Sequence, residues 1–310
     1  MKNTNQVAVI VGSSGQDGQL LVEQLQSLEY KVLTINRESM DITDPTSVTK
    51  FISDTRPNEV YFLAAHHHSS EDEFADEGSL FRQSISTNTI ATVNFLDAIA
   101  SRSQSSRLFY ASSCLVFPPM ENSLQAEDTL IRPENAYGIS KAAGMAICKH
   151  YREKRGVFAS VGILYNHESP LRNARYVSRK IAVAAARIAK EGEGELVLGN
   201  VDAKVDWGYA RDYVNAMHRI LQISKPADYV IASGEEHTVE QFADIAFKHV
   251  GLDYRDYLLV RPQSLPRKNL TRIGDSSRLR LETGWKPSLS FKELVCLMVD
   301  AEIFSMERVC

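Results

Sequence analysis

Tyr137 and Lys141 stand four residues apart in the stretch Tyr137-Gly138-Ile139-Ser140-Lys141. On a helix that spacing puts both side chains on one face, one turn apart. A phenol titrating near ~10 is a poor proton carrier at neutral pH. An ammonium beside it favours the phenolate and also offers a donor to a ribose. Ser112-Ser113, closing an apolar run, supplies a hydroxyl that can share a substrate oxygen and polarise a carbonyl or an alcohol. Together these groups suit hydride transfer coupled to a proton. The plain alternative is a helix-face pair, because this spacing also arises by chance; the glycine turn upstream favours catalysis.

A hydride needs a carrier. Gly12-Ser13-Ser14-Gly15-Gln16-Asp17-Gly18 follows a short β-branched run at 7–11 and opens a stretch of helical periodicity at 16–28. The first glycine permits a tight turn, the second lets backbone approach a pyrophosphate, and the third packs helix on strand. The helix start then offers free N–H groups to the phosphates. Gly12, Ser14, Gly15, Gln16, Asp17 and Gly18 are therefore expected at the cofactor. After the second strand comes Asn36-Arg37, where an acidic residue would hold a ribose 2′-hydroxyl. A guanidinium there suits a 2′-phosphate and favours NADP over NAD, unless Arg37 is simply a solvated charge. Asp41-Ile42 is expected near the adenine, although Asp41 suits a helix cap equally well. Leu63-Ala64-Ala65, ending the third strand, completes the expected cofactor edge.

Around these residues the chain alternates short apolar strands (7–11, 31–35, 59–65, 107–111, 158–164) with helical periodicity (16–28, 47–53, 84–100, 137–155). That alternation predicts an α/β fold, a doubly wound parallel sheet of the Rossmann type. Beyond residue 165 it loosens, with a helix near 177–190. Residues 1–165 are expected to form the NAD(P)-binding domain. Residues 166–310 are expected to form mainly a smaller substrate-binding lobe, interleaved with late strands of the sheet.

The formal net charge of −4 argues against nucleic acid or a membrane surface as partner, because no broad basic field attracts phosphate backbones. The start is polar and the following apolar run too short for a signal core, so the cytoplasm is the expected compartment. Cys114, Cys148, Cys296 and Cys310 have no metal-ligand spacing.

The glycine turn, Ser113, Tyr137 and Lys141 resemble the extended short-chain dehydrogenase/reductase family of nucleotide-sugar enzymes. Nearly the whole chain is similar to the GDP-mannose 4,6-dehydratase family. The resemblance rests on Gly15-Gln16-Asp17-Gly18, Asn166-His167-Glu168-Ser169-Pro170, Arg179-Lys180-Ile181, Leu198-Gly199-Asn200, Asp206-Trp207-Gly208, Asp212-Tyr213-Val214 and Gly284-Trp285-Lys286-Pro287. It implies a GDP-sugar substrate, NADP or NAD, and a homodimer or higher oligomer built on the helices at 84 and 137. It also implies a substrate-diphosphate contact at Asn166, and a cofactor or substrate contact at His68. Arg179 and Lys180 are candidate phosphate partners, with Arg267 from the late loop. Three successive histidines, His66-His67-His68, alternate in direction along extended chain and do not form a metal site.

The departures from that family set the functional expectation. Two residues after the active serine, the family carries the glutamate that takes the proton at sugar carbon 5; here that residue is Leu115. Hydride transfer at carbon 4 survives this change, while elimination of water does not. Ser112-Ser113-Cys114 is also similar to the Ser-Ser-Cys of GDP-fucose synthases, which makes Cys114 a candidate acid/base; an inert buried thiol is the alternative. No histidine takes the place of those enzymes' second acid, near which Tyr176 lies. The family's arginine before Asp-Trp-Gly is Val205. The expected activity is a 4-keto reductase or 4-dehydrogenase, with epimerisation as an accompanying reading. A full dehydratase in which Cys114 or a neighbouring group replaces the glutamate, and a non-catalytic dinucleotide sensor, are the other readings.

Overall fold

In Val7–Val11 (β1), Ala8 and Ile10 face one way and Val9 and Val11 the other, and all four are fully buried. A run apolar on both faces is a central parallel strand covered by helices on each side. The computed structural model describes residues 6–66, 76–120, 123–261 and 271–308. From β1 the chain enters Gln16–Ser27 (α1), Lys31–Ile35 (β2), Pro45–Thr55 (α2) and Glu59–Phe62 (β3). Glu77–Ile85 (α3) runs through a π turn, Ser86–Ile90, into Ala91–Arg102 (α4). Arg107–Ser113 (β4), Leu124–Gln125 (β5), Ala136–Arg155 (α5) and Phe158–Leu164 (β6) follow.

Next come Asn166–Glu168 (β7), Val177–Glu191 (α6), Leu196–Leu198 (β8), Lys204–Tyr209 (β9), Ala210–Gln222 (α7) and Asp228–Ile231 (β10). The chain closes with Glu236–Thr238 (β11), Val239–His249 (α8), Leu258–Val260 (β12), Ile273–Gly274 (β13), Ser277–Thr283 (α9) and Phe291–Glu307 (α10).

Six parallel strands line up as β2-β1-β3-β4-β6-β10. This is the doubly wound Rossmann-type sheet. From β1 the order proceeds to β2 on one side and to β3 on the other, so a crevice opens at the carboxyl ends of β1 and β3. One face is packed by α2, α4 and α5 over Val9, Phe62, Phe95 and Tyr110. The other is packed by α1 and α7 over Ile10, Tyr61, Phe109 and Met217. A third core joins α6, α8 and α10 around Trp207, Phe242, Phe247 and Met298.

Asp206 fastens late segments together. Oδ1 accepts from Ser233 N (2.9 Å) and Ser233 Oγ (2.6 Å), and Oδ2 from Gly234 N and Gly274 N, each at 3.1 Å. The carboxyl is fully buried, and that burial raises its pKa despite the four donors.

One local expectation changes. The helix anticipated at 84–100 starts earlier and holds a π turn, where the 3.6-residue repeat slips. At the sheet's edge Glu127 accepts from Val230 N at 2.8 Å, capping an amide of β10 on the side where no strand follows.

Candidate active site

Gly12 sits at φ +93°, and a Cβ built there falls 2.6 Å from Ala64 N. The turn between β1 and α1 thus lies directly on the end of β3, which only glycine allows. A Cβ on Gly18 meets Gly12 O at 2.5 Å, so the helix start packs onto the same turn. Gly15 caps α1 without any side-chain hydrogen bond. The first amides of α1 therefore have no side-chain acceptor, an arrangement that receives an anion. Ser14 and Gly15 are exposed there, with Leu63, Ala64 and Ala65 half-buried alongside. These residues fit a dinucleotide's pyrophosphate.

Gln16 and Asp17 behave otherwise than expected. Their side chains turn away from the phosphate cradle toward the segment after β6. Gln16 Nε2 donates to His167 O (3.1 Å), Ser169 Oγ donates to Gln16 Oε1 (2.8 Å), and His167 Nε2 lies 2.8 Å from Asp17 Oδ2. Only their backbone faces the cradle. The reason is tertiary: a partner segment 150 residues away offers better acceptors and donors than solvent.

At the far end of the crevice Arg37 is exposed beyond β2 and makes no ion pair among the described residues. Asp41 folds back on Thr43, accepting from its N (2.8 Å) and Oγ1 (2.7 Å), which lowers its pKa. Ile42 packs against the core, and its carbonyl accepts from Asn94 Nδ2 at 3.1 Å.

Ser113, Tyr137 and Lys141 gather at the carboxyl end of β4. Ser113 ends the strand, and its Oγ accepts from Leu115 N at 3.2 Å, leaving its own proton to donate. Asn135 caps α5 by accepting from Gly138 N at 2.8 Å, which starts the helix one residue before Tyr137. A Cβ on Gly138 meets Leu115 O at 2.4 Å. The glycine therefore lets the first turn of α5 press against the turn that carries Ser113. Lys141 is 1% exposed, donates from Nζ to Ala111 O at 2.8 Å, and lies 5.6 Å from the Tyr137 ring centroid.

Burial brings the Lys141 ammonium down to about 7. Burial also holds the Tyr137 phenol above its ordinary range, and neighbouring Tyr176 pushes it the same way. Burial thus opposes the phenol ionisation that the spacing to Lys141 suggests, and favours the protonated phenol.

Asn88, fully buried in the π turn, went unnoticed in sequence. Its Nδ2 donates to Ser140 Oγ (2.9 Å) and His66 O (3.3 Å), its Oδ1 accepts from His66 N (2.9 Å), and its carbonyl accepts from Tyr110 OH (2.9 Å). One side chain thereby ties the end of β3 to the start of α5. A polar residue within the helical periodicity at 84–100 was the available signal, and π turns often mark working sites.

Cys114 is 6% exposed, and burial pushes its thiol up to about 11. A thiol raised that far is protonated at neutral pH, which favours the inert buried thiol over the acid/base reading. Asn166 is exposed at the start of β7, and Lys180 is half-buried in the first turn of α6. Arg179 is corrected from its expected role. Its guanidinium donates to Pro170 O and to Arg172 O and pairs with Glu302 of α10, so it holds the loop rather than facing a phosphate. Arg172, missed in sequence, lies over the Tyr176 ring at 3.5 Å and pairs with buried Glu168 at 3.1 Å. Val205 packs in the third core. His68 and Arg267 lie outside the described residues. Among the described residues no cluster of three His, Cys, Asp or Glu side chains is placed to hold a metal, and no helix is long and apolar enough to cross a membrane.

The family model described as GDP-mannose 4,6 dehydratase matches residues 38–298. GDP-mannose 4,6 dehydratase 2 of Arabidopsis thaliana is 35% identical over 97% of this chain and 88% of its own length. The human GDP-mannose 4,6 dehydratase is 31% identical over 98% and 93%. Among solved structures, RMD from Pseudomonas aeruginosa complexed with NADPH superposes with a TM-score of 0.84 at 21% identity, covering 97% of this chain and 100% of that one. dTDP-glucose 4,6-dehydratase from Bacillus anthracis with NAD gives 0.82 at 18% identity, covering 97% and 98%.

Proposed function

The chain belongs to the GDP-mannose 4,6-dehydratase family of NAD(P)-dependent short-chain enzymes, and from that membership we propose that it acts as a reductase at carbon 4 of a GDP-linked 4-keto sugar rather than as a dehydratase. The observation that carries this reading is Leu115. An isobutyl group stands where elimination needs a carboxylate, and the adjacent Cys114 thiol, at about 11, takes no proton in its place.

The remaining groups suit reduction. When bound, NADP or NAD supplies or accepts the hydride. The fit rests on the glycine cradle, and exposed Arg37 favours a 2′-phosphate. Ser113 donates to the sugar's carbonyl oxygen and polarises it. Tyr137, held protonated by burial, gives its proton to that oxygen as the alcohol forms. Lys141 backs the phenol and reaches toward the ribose. Asn88 fixes the first turn of α5, and so the angle at which Tyr137 enters the crevice. Asn166 and Lys180 are proposed to meet the substrate diphosphate.

Two incubations test this. With NADPH and a GDP-linked 4-keto-6-deoxyhexose, nicotinamide absorbance should fall and the sugar should gain two hydrogens. With GDP-mannose and NADP, no product lighter by one water should appear. A dehydrated product from GDP-mannose overturns the reductase reading in favour of a dehydratase with an unusual base.

A further inference from the structure

His167 is held between two acceptors. Its Nδ1 lies 2.7 Å from the Tyr165 carbonyl and its Nε2 lies 2.8 Å from Asp17 Oδ2. A carbonyl and a carboxylate both accept, so both ring nitrogens donate, and the ring is an imidazolium. The Tyr213 ring backs it, stacked at 4.4 Å with planes 22° apart. A second link runs beside the first, through Gln16 to His167 O and Ser169 Oγ. The pair joins α1, directly after the phosphate turn, to the segment that continues to Asn166, Lys180 and the substrate side.

We propose that the Asp17–His167 ion pair, with the Gln16–Ser169 bond, couples the dinucleotide site to the nucleotide-sugar site. Asp17 and His167 act as positioning residues, touching neither ligand through their side chains. The inference rests on the functional reading above for which ligand lies on which side. Its physical basis is shared ordering: with turn and segment clipped together, whichever ligand arrives first pays the entropy of fixing both. Burial would lower the His167 pKa, but the Asp17 charge and the hydrogen bonds to Asp17 and the Tyr165 carbonyl together raise it; burial would raise the Asp17 pKa, but the charge and hydrogen bond of His167, with Gln16 and Arg172, lower it. The other groups facing the pair are Arg172, from the loop after β7, the Gln16 amide and the Tyr213 ring. The pairing thus widens the pH window of the charged clip at both ends: it opens when pH rises above the raised histidine value and when pH falls below the lowered carboxylate value.

The experiment titrates NADPH into the full-length protein with and without saturating GDP, by fluorescence or calorimetry. In the wild type, GDP should tighten NADPH by roughly fivefold or more. Asp17→Asn should bring that ratio close to one, Ser169→Ala should lower it partway, and the wild-type ratio should fall at alkaline pH. A merely structural pair would shift melting temperature and leave the ratio alone. A wild-type ratio of one, or a ratio preserved in both variants, overturns the proposal. Should Asp17→Asn fail to fold, Ser169→Ala and the wild-type pH series decide. Failure of the wild type to bind either NADPH or GDP instead removes the functional reading and the coupling with it, an outcome distinct from normal binding without coupling.

Discussion

Gly138→Ala isolates the contact that sets Tyr137 against Ser113. The new Cβ would begin 2.4 Å from Leu115 O and 3.1 Å from Pro133 Cβ. Relief to an ordinary van der Waals separation needs about 1 Å of movement. The obstacle is backbone, so the first turn of α5 must shift relative to the end of β4. Tyr137 lies on the moving turn and Ser113 on the fixed one. A misplacement of that size costs on the order of 100-fold in turnover, equivalent to ~2.7 kcal/mol of transition-state stabilisation. The stability change is smaller, because overpacking costs ~1–3 kcal/mol while replacing glycine by alanine inside a helix returns ~1 kcal/mol. The assay pairs kcat for reduction of the 4-keto sugar nucleotide with thermal melting of the same preparation. Turnover within about threefold of wild type would refute the reasoning. So would a loss of activity fully matched by unfolding.

Other outcomes follow from the same site. Lys141 titrates at about 7 folded against 10.5 unfolded, so the unfolded chain binds the extra proton between those values. The burial penalty is complete below about pH 7 and is relieved as pH rises, by ~1.4 kcal/mol per unit. Without cofactor, Lys141→Met should exceed the wild type in stability by on the order of 4 kcal/mol at neutral pH, with the gap closing toward pH ~10. Urea unfolding across pH checks this, and a pH-independent gap contradicts it. Leu115→Glu restores a carboxylate where elimination needs one. A positioned base is worth ~100- to 10,000-fold, so dehydration of GDP-mannose should rise from background to a rate that mass spectrometry detects. Complete absence of dehydrated product would mean that more than one missing base separates this chain from the dehydratases of its family.

The parts of the site legible in sequence were those set by short-range rules. The glycine turn, β1 and the Tyr137–Lys141 spacing each depend on a few neighbouring residues, through φ preference, alternation and helical repeat. Side-chain direction across long separations was not legible. Gln16 and Asp17 sit in a phosphate-binding motif, yet their partners arrive with His167 and Ser169. Arg179 has the charge for a phosphate, but Glu302 and the carbonyls of Pro170 and Arg172 claim it. Asn88 was hidden because a π turn depends on what packs around the helix rather than on the sequence within it. The effect of burial on the phenol was not legible for a related reason: spacing reveals the ammonium nearby, while the loss of water around both groups appears only once the chain is folded.

The place of β10 at the edge of the main sheet has a consequence for synthesis on the ribosome. Residues 228–231 complete a sheet whose other five strands end by residue 164, and α7, which covers one of its faces, ends at Gln222. Until those late residues emerge, the nascent chain carries β6 with a raw edge and an apolar sheet face open to solvent. Such species are prone to aggregate. The first half of the chain therefore keeps that edge of its sheet unpaired until segments encoded well downstream have been made.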